Sequence, residues 1–286
     1  MIFSSASTMI SIVAVYFLYK HDIVILSGQS FSESIGLSLR TTFPSILLSF
    51  ILMMIFYMGP ITVQVALFFL NVLYDVRNDG RLMPLAHGTT YLSSAYKAIQ
   101  TEILKIYVTF NILDTTLFRN LIFAPVTEEL VFRAIVVPVM FSYYCKQNEI
   151  YTSFQLAMLS PSWFALAHAH HVYDKLRMGM PFKYVIIQTL VQLSYTTIFG
   201  IIAALLLMRT NSIAGSIVSH IICNFYGLPS FEFLVPPSTE KSRSISCLFP
   251  YRYAILVLHA AGLIIFAFVM FPLTEKYALH SPLWYN

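Results

Sequence analysis

The sequence predicts an all-α fold, a polytopic membrane bundle of about eight transmembrane helices around an interior polar cavity. Hydrophobic residues make up 58% of the 286 positions and charged residues only 10%, a balance that soluble globular domains do not show. The apolar residues come in continuous runs, whereas an outer-membrane barrel would alternate polar and apolar residues. We therefore expect a single integral-membrane domain over residues 1–286.

The expected helices follow from the positions of the apolar runs. Their approximate bounds are 1–19, 43–58, 61–74, 120–144, 150–167, 184–208, 212–228 and 253–272. Gly59 and Pro60 join the second run to the third, so these are either one kinked helix or two short helices. The first run has no basic region before it and no clear cleavage site, which favours a retained span over a removed signal peptide.

The more polar stretches predict the connections between the spans. Residues 75–97 and 229–252 are rich in Pro, Ser and charged residues, which is typical of loops. Residues 98–119 are amphipathic, and we expect them to lie at the membrane surface. The net charge of +4 is spread over these connections without a basic tract, so nucleic acid is excluded as a partner. The three cysteines form no CxxC pair, so they indicate neither a disulfide framework nor a cysteine metal site.

The segment "APVTEELVFRAIVVP", residues 124–138, carries charges inside an apolar run. Glu128 and Glu129 are costly at that depth, which implies a function or a partner. Arg133 follows Glu129 by four residues and shares its helical face, whereas Glu128 points about 100° away, towards other partners. Pro125 suits a first helical turn, where the helix dipole favours a carboxylate. A general base is one interpretation, and a structural Glu–Arg bridge with a spectator glutamate is the other.

The segment "SWFALAHAHHVYD" brings three histidines to the end of another apolar run. His168 and His171 share a helical face, and His170 points away from it. Histidine is the side chain best suited to exchange protons near neutral pH. Each residue has an alternative role as an ordinary histidine at the membrane interface, and for His170 and His171 that alternative is favoured.

The segment "NSIAGSIVSHIICNFYG" predicts a polar stripe on one face of a helix. Its members recur every four residues and are Ser212, Ser216, His220 and Asn224. Such a stripe faces other helices or a wet cavity rather than lipid. The alternative to chemistry is hydrogen bonding between helices.

Together the three segments supply the groups that a hydrolase needs. A glutamate and a histidine can activate water, and a histidine with an asparagine can stabilise an oxyanion. The sequence has no G-x-S-x-G elbow and no catalytic cysteine signature, so a covalent acyl-enzyme is not supported. An H-E-x-x-H motif is also missing, although Glu128, His168 and His220 form a set that zinc accepts.

These residues, in this order, resemble a known family. The type II CAAX prenyl endopeptidases, the Ras and a-factor converting enzymes, carry the elements E-E-x-x-x-R, F-x-x-x-H and H-x-x-x-N or D. The sequence contains all three, as Glu128-Glu129 with Arg133, Phe164 with His168, and His220 with Asn224. The surrounding "APVTEELVFR", "ALAHAHH", "QLSYTTIFG" and "SHIICN" are similar to the eukaryotic branch, so the likeness covers about residues 121–229.

The resemblance implies a multi-pass protease of the endoplasmic reticulum membrane that removes the C-terminal tripeptide from isoprenylated CAAX proteins such as small GTPases. It implies that Glu128 and His168 activate water and that His220 and Asn224 form the oxyanion site. Glu129 and Arg133 would support that centre, and Phe164 would pack beneath His168. The family is regarded as metal-independent, so no cofactor is expected, and membrane lipids are expected neighbours.

Two other functions stay open at this point. One is a zinc-dependent intramembrane metalloprotease built on Glu128, His168 and His220. The other is a transporter or scaffold without enzymatic activity, in which the same polar spans bind a ligand or a partner.

Overall fold

A computed structural model describes most of the chain. The described residues are 31–82, 89–109, 114–147, 151–167, 171–237 and 243–284, together with Val13, Tyr16 and Lys20. Apart from two of these positions, the predicted first span at 1–19 lies outside the described residues, as does the predicted absence of a cleaved leader.

The described chain is built from helices. The α-helices have these bounds: α1 Phe31–Ser34, α2 Leu39–Phe56, α3 Met58–Leu82, α4 Thr89–Thr109, α5 Thr115–Phe118, α6 Ala124–Val131, α7 Val137–Met140, α8 Ser153–Leu159, α9 Pro161–Ala167, α10 His171–Arg177, α11 Phe182–Thr210, α12 Ile213–Tyr226, α13 Arg243–Leu248 and α14 Arg252–Ala278. Short 3₁₀ turns span Glu232–Leu234 and Phe249–Tyr251. Within the described residues, β structure is limited to one isolated bridge between Leu37 and Ser212.

The all-α membrane fold predicted from composition is confirmed. Four helical stretches of the described chain are long and apolar enough to cross a bilayer: Leu39–Phe56, Met58–Arg77, Phe182–Thr210 and Ser244–Ala278. Helix α12 is a shorter apolar helix of 14 residues. The chain is therefore a multi-pass membrane protein.

The Gly59-Pro60 junction separates two helices. Helix α2 ends at Phe56 and α3 begins at Met58. Pro60 therefore lies in the first turn of α3, where its missing N–H group leaves no helical hydrogen bond unmade. Of the two alternatives for this region, the two-helix arrangement is the one observed.

The two predicted loops were wrong in part, because both contain helix. Helices α3 and α4 cover much of 75–97, and α13 lies within 229–252. These segments are helical because some of their apolar side chains are buried. Val76 and Ala98 belong to one apolar cluster, and Leu248 belongs to another. Packing of an apolar face stabilises a helix more than the propensities of its polar residues oppose it.

The chain divides into two compact units. The first comprises Met1–Met53, Arg119–Phe225 and Val269–Asn286, and the second comprises Met54–Phe118 and Tyr226–Phe268. The candidate site lies in the first unit. The single protease domain expected over the whole chain stays a prediction.

Close packing of α2 against α12 fixes the position of α12 within the first unit. A Cβ atom on Gly215 would lie 2.6 Å from Ser49 Oγ and 3.3 Å from the Ser45 carbonyl oxygen. Ser45 Oγ donates to Ser212 Oγ at 2.8 Å. Small residues of this kind let helix backbones approach closely in membrane proteins, so the seam aligns the polar stripe of α12 with the interior.

Helix α6 belongs to a longer helical run in which α and π geometry alternate. The π-helical segments are π1 Arg119–Phe123, π2 Phe132–Val136 and π3 Phe141–Gln147. Segment π2 begins directly after α6, which holds both glutamates, and contains Arg133. Such π-helical turns occur frequently at functional sites.

Candidate active site

Helix α6 presents its two glutamates very differently. Pro125 lies in its first turn, where the fixed φ of proline suits a helix start. The side chain of Glu129 is fully buried, whereas that of Glu128 is 34% exposed. One carboxylate is therefore held inside the protein, and the other can be reached from outside it.

Glu129 pairs with Arg133, as the spacing of four residues predicts. Arg133 Nη1 lies 3.2 Å from Glu129 Oε1, and the arginine side chain is 2% exposed. The guanidinium lies 4.3 Å from the ring centre of Phe164 and 5.4 Å from that of Phe199. Neither Nη atom makes a hydrogen bond with a described residue, so the arginine acts here through its charge and its aromatic contacts.

Both glutamates reach His220 of helix α12. His220 Nδ1 lies 2.8 Å from Glu129 Oε1, and Nε2 lies 3.7 Å from Glu128 Oε2. An ionised carboxylate only accepts hydrogen bonds, so we assign Nδ1–H as the donor to Glu129. That bond fixes the ring and turns Nε2 towards the partly exposed Glu128.

The meeting of one imidazole with both carboxylates could not be predicted from the sequence. Glu129 and His220 are 91 positions apart, and no local periodicity connects them. Helical geometry predicts that Glu128 acts away from its own helix, and His220 is the group that lies opposite it.

Three of the four residues in the predicted stripe face the interior. Ser212, Ser216 and His220 are buried, and Ser216 Oγ donates to the Ala203 carbonyl oxygen at 2.8 Å. Asn224 is exposed, and its Nδ2 donates to the Asn120 carbonyl oxygen at 2.9 Å. A carboxamide nitrogen carries two N–H groups, so Asn224 keeps a second donor one helical turn beyond His220.

Aromatic side chains pack around the imidazole, and one of them was missed from the sequence. The ring centre of Phe199 lies 4.6 Å from that of His220, and the ring centre of Phe164 lies 6.0 Å from it. Next to Phe199, a Cβ atom on Gly200 would lie 2.6 Å from Pro161 Cβ and 3.3 Å from Arg133 Nη2. A glycine inside an apolar helix is a sequence signal of such close approach.

The histidine segment after α9 lies mostly outside the described residues. His168 and His170 are not described, and His171 begins α10 with its side chain undescribed. The role of His168, and the packing of Phe164 beneath it, stay predictions. Among described residues, Phe164 belongs to a buried cluster with Phe199 and Ala203, and Arg133 stacks on its ring.

The described part of this site suits proton transfer and charge stabilisation. A reachable carboxylate and an oriented imidazole lie 3.7 Å from one another, a separation that lets both groups contact one water molecule, as general acid–base chemistry requires. Within the described residues, no group of three or more His, Cys, Asp or Glu side chains could hold a metal ion. The zinc alternative needs His168 as its third ligand, and His168 is not among the described residues.

Comparisons with known proteins match the same part of the chain. Residues 112–226 match the family model described as type II CAAX prenyl endopeptidase Rce1-like. The human CAAX prenyl protease 2 is 27% identical over 259 residues, which cover 90% of this chain and 66% of the human protein. The Arabidopsis thaliana CAAX prenyl protease 2 is 30% identical over 197 residues, which cover 68% of this chain and 53% of that protein.

A shorter match has a higher identity. The probable CAAX prenyl protease 2 of Schizosaccharomyces pombe is 36% identical over 115 residues, 40% of each chain. The chain thus spans about half to two thirds of the human and Arabidopsis relatives' length. No solved structure matches the chain. The ordered motif residues lie in the matched region, so residues 112–226 correspond to the segment that the Rce1-like family model of type II CAAX prenyl endopeptidases describes.

Proposed function

We propose that this chain is an intramembrane endopeptidase that removes the C-terminal tripeptide from isoprenylated proteins ending in a CAAX motif. The observation that carries the proposal is the meeting of Glu128 and Glu129 with His220. This arrangement lies inside the segment that matches the family model. The names of the relatives, CAAX prenyl protease 2, give the substrate class.

In this proposal the two glutamates have separate roles. Glu128 is the general base, because its carboxylate is partly exposed and can contact a water molecule. His168 acts with it to orient and deprotonate that water. Glu129 is a positioning residue, since it is buried and binds both Arg133 and His220. General acid–base groups of this kind contribute about 10²- to 10⁴-fold in rate.

His220 and Asn224 form the oxyanion site. With Nδ1–H donated to Glu129, a protonated ring also carries an Nε2–H group that can donate to a developing oxyanion. Asn224 supplies its second N–H group from the next helical turn, and its bond to the Asn120 carbonyl oxygen holds the carboxamide in place.

The proposed reaction is a direct hydrolysis. Water loses a proton to Glu128 as its oxygen forms a bond with the carbonyl carbon of the prenylcysteine residue. The resulting oxyanion accepts hydrogen bonds from His220 and Asn224. The C–N bond then breaks, and the leaving amine takes the proton from Glu128, so the carboxylate is regenerated and no covalent enzyme intermediate forms.

The membrane setting fits a lipidated substrate. A farnesyl or geranylgeranyl group is itself a membrane anchor, so a prenylated tail can reach the site laterally. We propose small GTPases as typical substrates and the endoplasmic reticulum membrane as the location, following the family resemblance. The nonenzymatic alternative has no observation in its favour beyond the presence of polar spans.

The test is mass spectrometry of a farnesylated CAAX peptide after incubation with the detergent-purified chain. We expect loss of the three terminal residues and no cleavage of the same peptide without its prenyl group. Glu128→Ala and His168→Ala should abolish cleavage. Glu232→Ala removes an exposed carboxylate elsewhere and is the matched control, expected to cleave normally.

The informative comparison is between variants of equal fold, judged by gel filtration and thermal unfolding. Full cleavage by a well-folded Glu128→Ala protein would contradict the proposed base. An intact peptide with the folded parent chain would contradict the protease and favour transport or scaffolding.

A further inference from the structure

A second polar site lies in the first unit, beside the C-terminal ends of α11 and α14. Arg209, in the last turn of α11, is buried, with only 5% of its surface exposed. Its Nε donates to Thr274 Oγ1, and its Nη2 donates to the Phe271 carbonyl oxygen at 2.9 Å. The guanidinium also lies 4.8 Å from the ring centre of Phe271 and 4.7 Å from that of Trp284.

Arg209 opens onto a cleft. The cleft has a volume of about 440 Å³ and is lined by Arg209, Phe271, Pro272, Glu275, Ala278, Leu279 and Trp284. That volume lies within the range of small-molecule sites. Within the described residues, Arg209 donates hydrogen bonds through Nε and Nη2 but not through Nη1. The Nη1 edge of the guanidinium is therefore left for a ligand.

The charges around the cleft favour a ligand that carries both signs. Glu275 is exposed on the cleft wall, where its charge attracts that of Arg209 without a close ion pair among the described residues. Helices α11 and α14 both end here, at Thr210 and Ala278, and helix C-terminal ends carry partial negative charge. A purely anionic ligand would be attracted by Arg209 but repelled by Glu275 and by the two helix ends. A zwitterion can place its cation near Glu275 instead.

The position of the cleft indicates a lipid. Helix α11 has 29 residues and is therefore about 43 Å long, which matches a bilayer that includes its headgroup layers. Its end thus lies at headgroup depth. Trp284 is a residue type enriched at that depth, and Leu279, which is 70% exposed, offers apolar surface beside the cleft for an acyl chain.

We propose that this cleft binds the headgroup of a zwitterionic phospholipid, with the phosphate at Arg209 and the ammonium at Glu275. The cleft is independent of the Glu128–His220 site and of the reaction proposed there.

Tryptophan fluorescence provides a direct test. The chain has two tryptophans, so Trp163→Phe leaves Trp284 as the reporter. Dioleoyl-phosphatidylethanolamine, titrated into the detergent-purified variant, should give a saturable change in emission. Dioleoyl-phosphatidylglycerol should give a weaker change, as should soluble phosphoethanolamine. Equal responses to the two lipids would overturn the zwitterion assignment, and equal affinity for phosphoethanolamine would show that the lipid chains contribute nothing, which overturns the lipid assignment.

A charge variant tests the ammonium contact while leaving Arg209 in place, because Arg209 joins α11 to α14. In the same background, Glu275→Gln should weaken phosphatidylethanolamine binding by about two- to fivefold, the effect of one partly exposed ion pair. Glu232→Gln is the matched control and should bind as the parent does. Gel filtration and thermal unfolding confirm the fold of each variant, and unchanged binding by folded Glu275→Gln protein overturns the proposal.

Discussion

Glu129 is the residue that joins the charged groups of the candidate active site. It contacts Arg133 on its own helical run and His220 on α12, with no exposure of its own side chain. A buried charge is tolerated only when it is paired. The geometry of His220 therefore depends on a residue that we do not expect to touch the substrate.

The stability of the Glu129–Arg133 pair can be measured directly. Arg133→Ala leaves a buried carboxylate without its arginine, and we expect a loss of about 3–5 kcal/mol in the free energy of unfolding. The double variant Glu129→Gln with Arg133→Met removes both charges and should recover part of that loss. It should cleave poorly even so, because His220 loses the carboxylate that holds its ring.

Chemical denaturation in detergent and peptide cleavage would be measured on the same preparations. Equal instability of the single and double variants would show that the unpaired charge is not the source of the loss. Wild-type cleavage by the double variant would contradict the positioning role of Glu129.

At the scale of the helices, the close contact between α2 and α12 determines which way the polar stripe of α12 faces. Gly215→Ala would bring a Cβ atom to 2.6 Å from Ser49 Oγ, and such overpacking costs about 1–3 kcal/mol. Ser49→Ala removes that oxygen and should itself cost little, because the buried hydroxyl has no partner among the described residues. The Gly215→Ala, Ser49→Ala double variant should therefore be more stable than Gly215→Ala alone.

A double-mutant cycle of thermal or denaturant unfolding checks this expectation. We expect a coupling free energy of about 0.5–3 kcal/mol between the two positions, as for residues in contact. Additive effects would mean that α2 and α12 do not approach as described.

Elements with a local periodic signal were predictable, and those that depend on long-range burial were not. The Glu129–Arg133 spacing and the inward serines of α12 follow from helical geometry alone. The first half of α4, which falls in the predicted loop 75–97, and helix α13 were not recognised, because their polar residues resemble loops until Ala98 and Leu248 are buried by other segments. The contact between Glu129 and His220 joins residues 91 positions apart, so it required the tertiary structure.

For the whole molecule, the proposed protease differs from its rivals in what it depends on. A glutamate-based hydrolase needs neither a sealed membrane nor a metal ion, so cleavage should persist in detergent micelles and in the presence of 1,10-phenanthroline or EDTA. Transport depends on a gradient across a membrane, and a zinc enzyme loses activity when its metal is removed.

Cleavage of the farnesylated peptide, followed by mass spectrometry with and without chelator, gives the answer. A known zinc protease in the same detergent serves as the control for chelation. Loss of cleavage that added Zn²⁺ restores would establish the metalloprotease alternative and contradict Glu128 as a metal-free base.

Segment π2 also limits how the chain can change in length. Each π-helical turn takes one more residue between its hydrogen-bonded groups than an α-helical turn does, so residues 132–136 act like a single inserted residue. A deletion of one residue there would restore continuous α geometry, and the turns before and after the segment would keep their relative orientation. The two carboxylates would then still meet His220, whereas the same deletion inside α6 would rotate the turns on its two sides by about 100° relative to one another. Segment π2 is therefore the place where this run can lose one residue and keep its site.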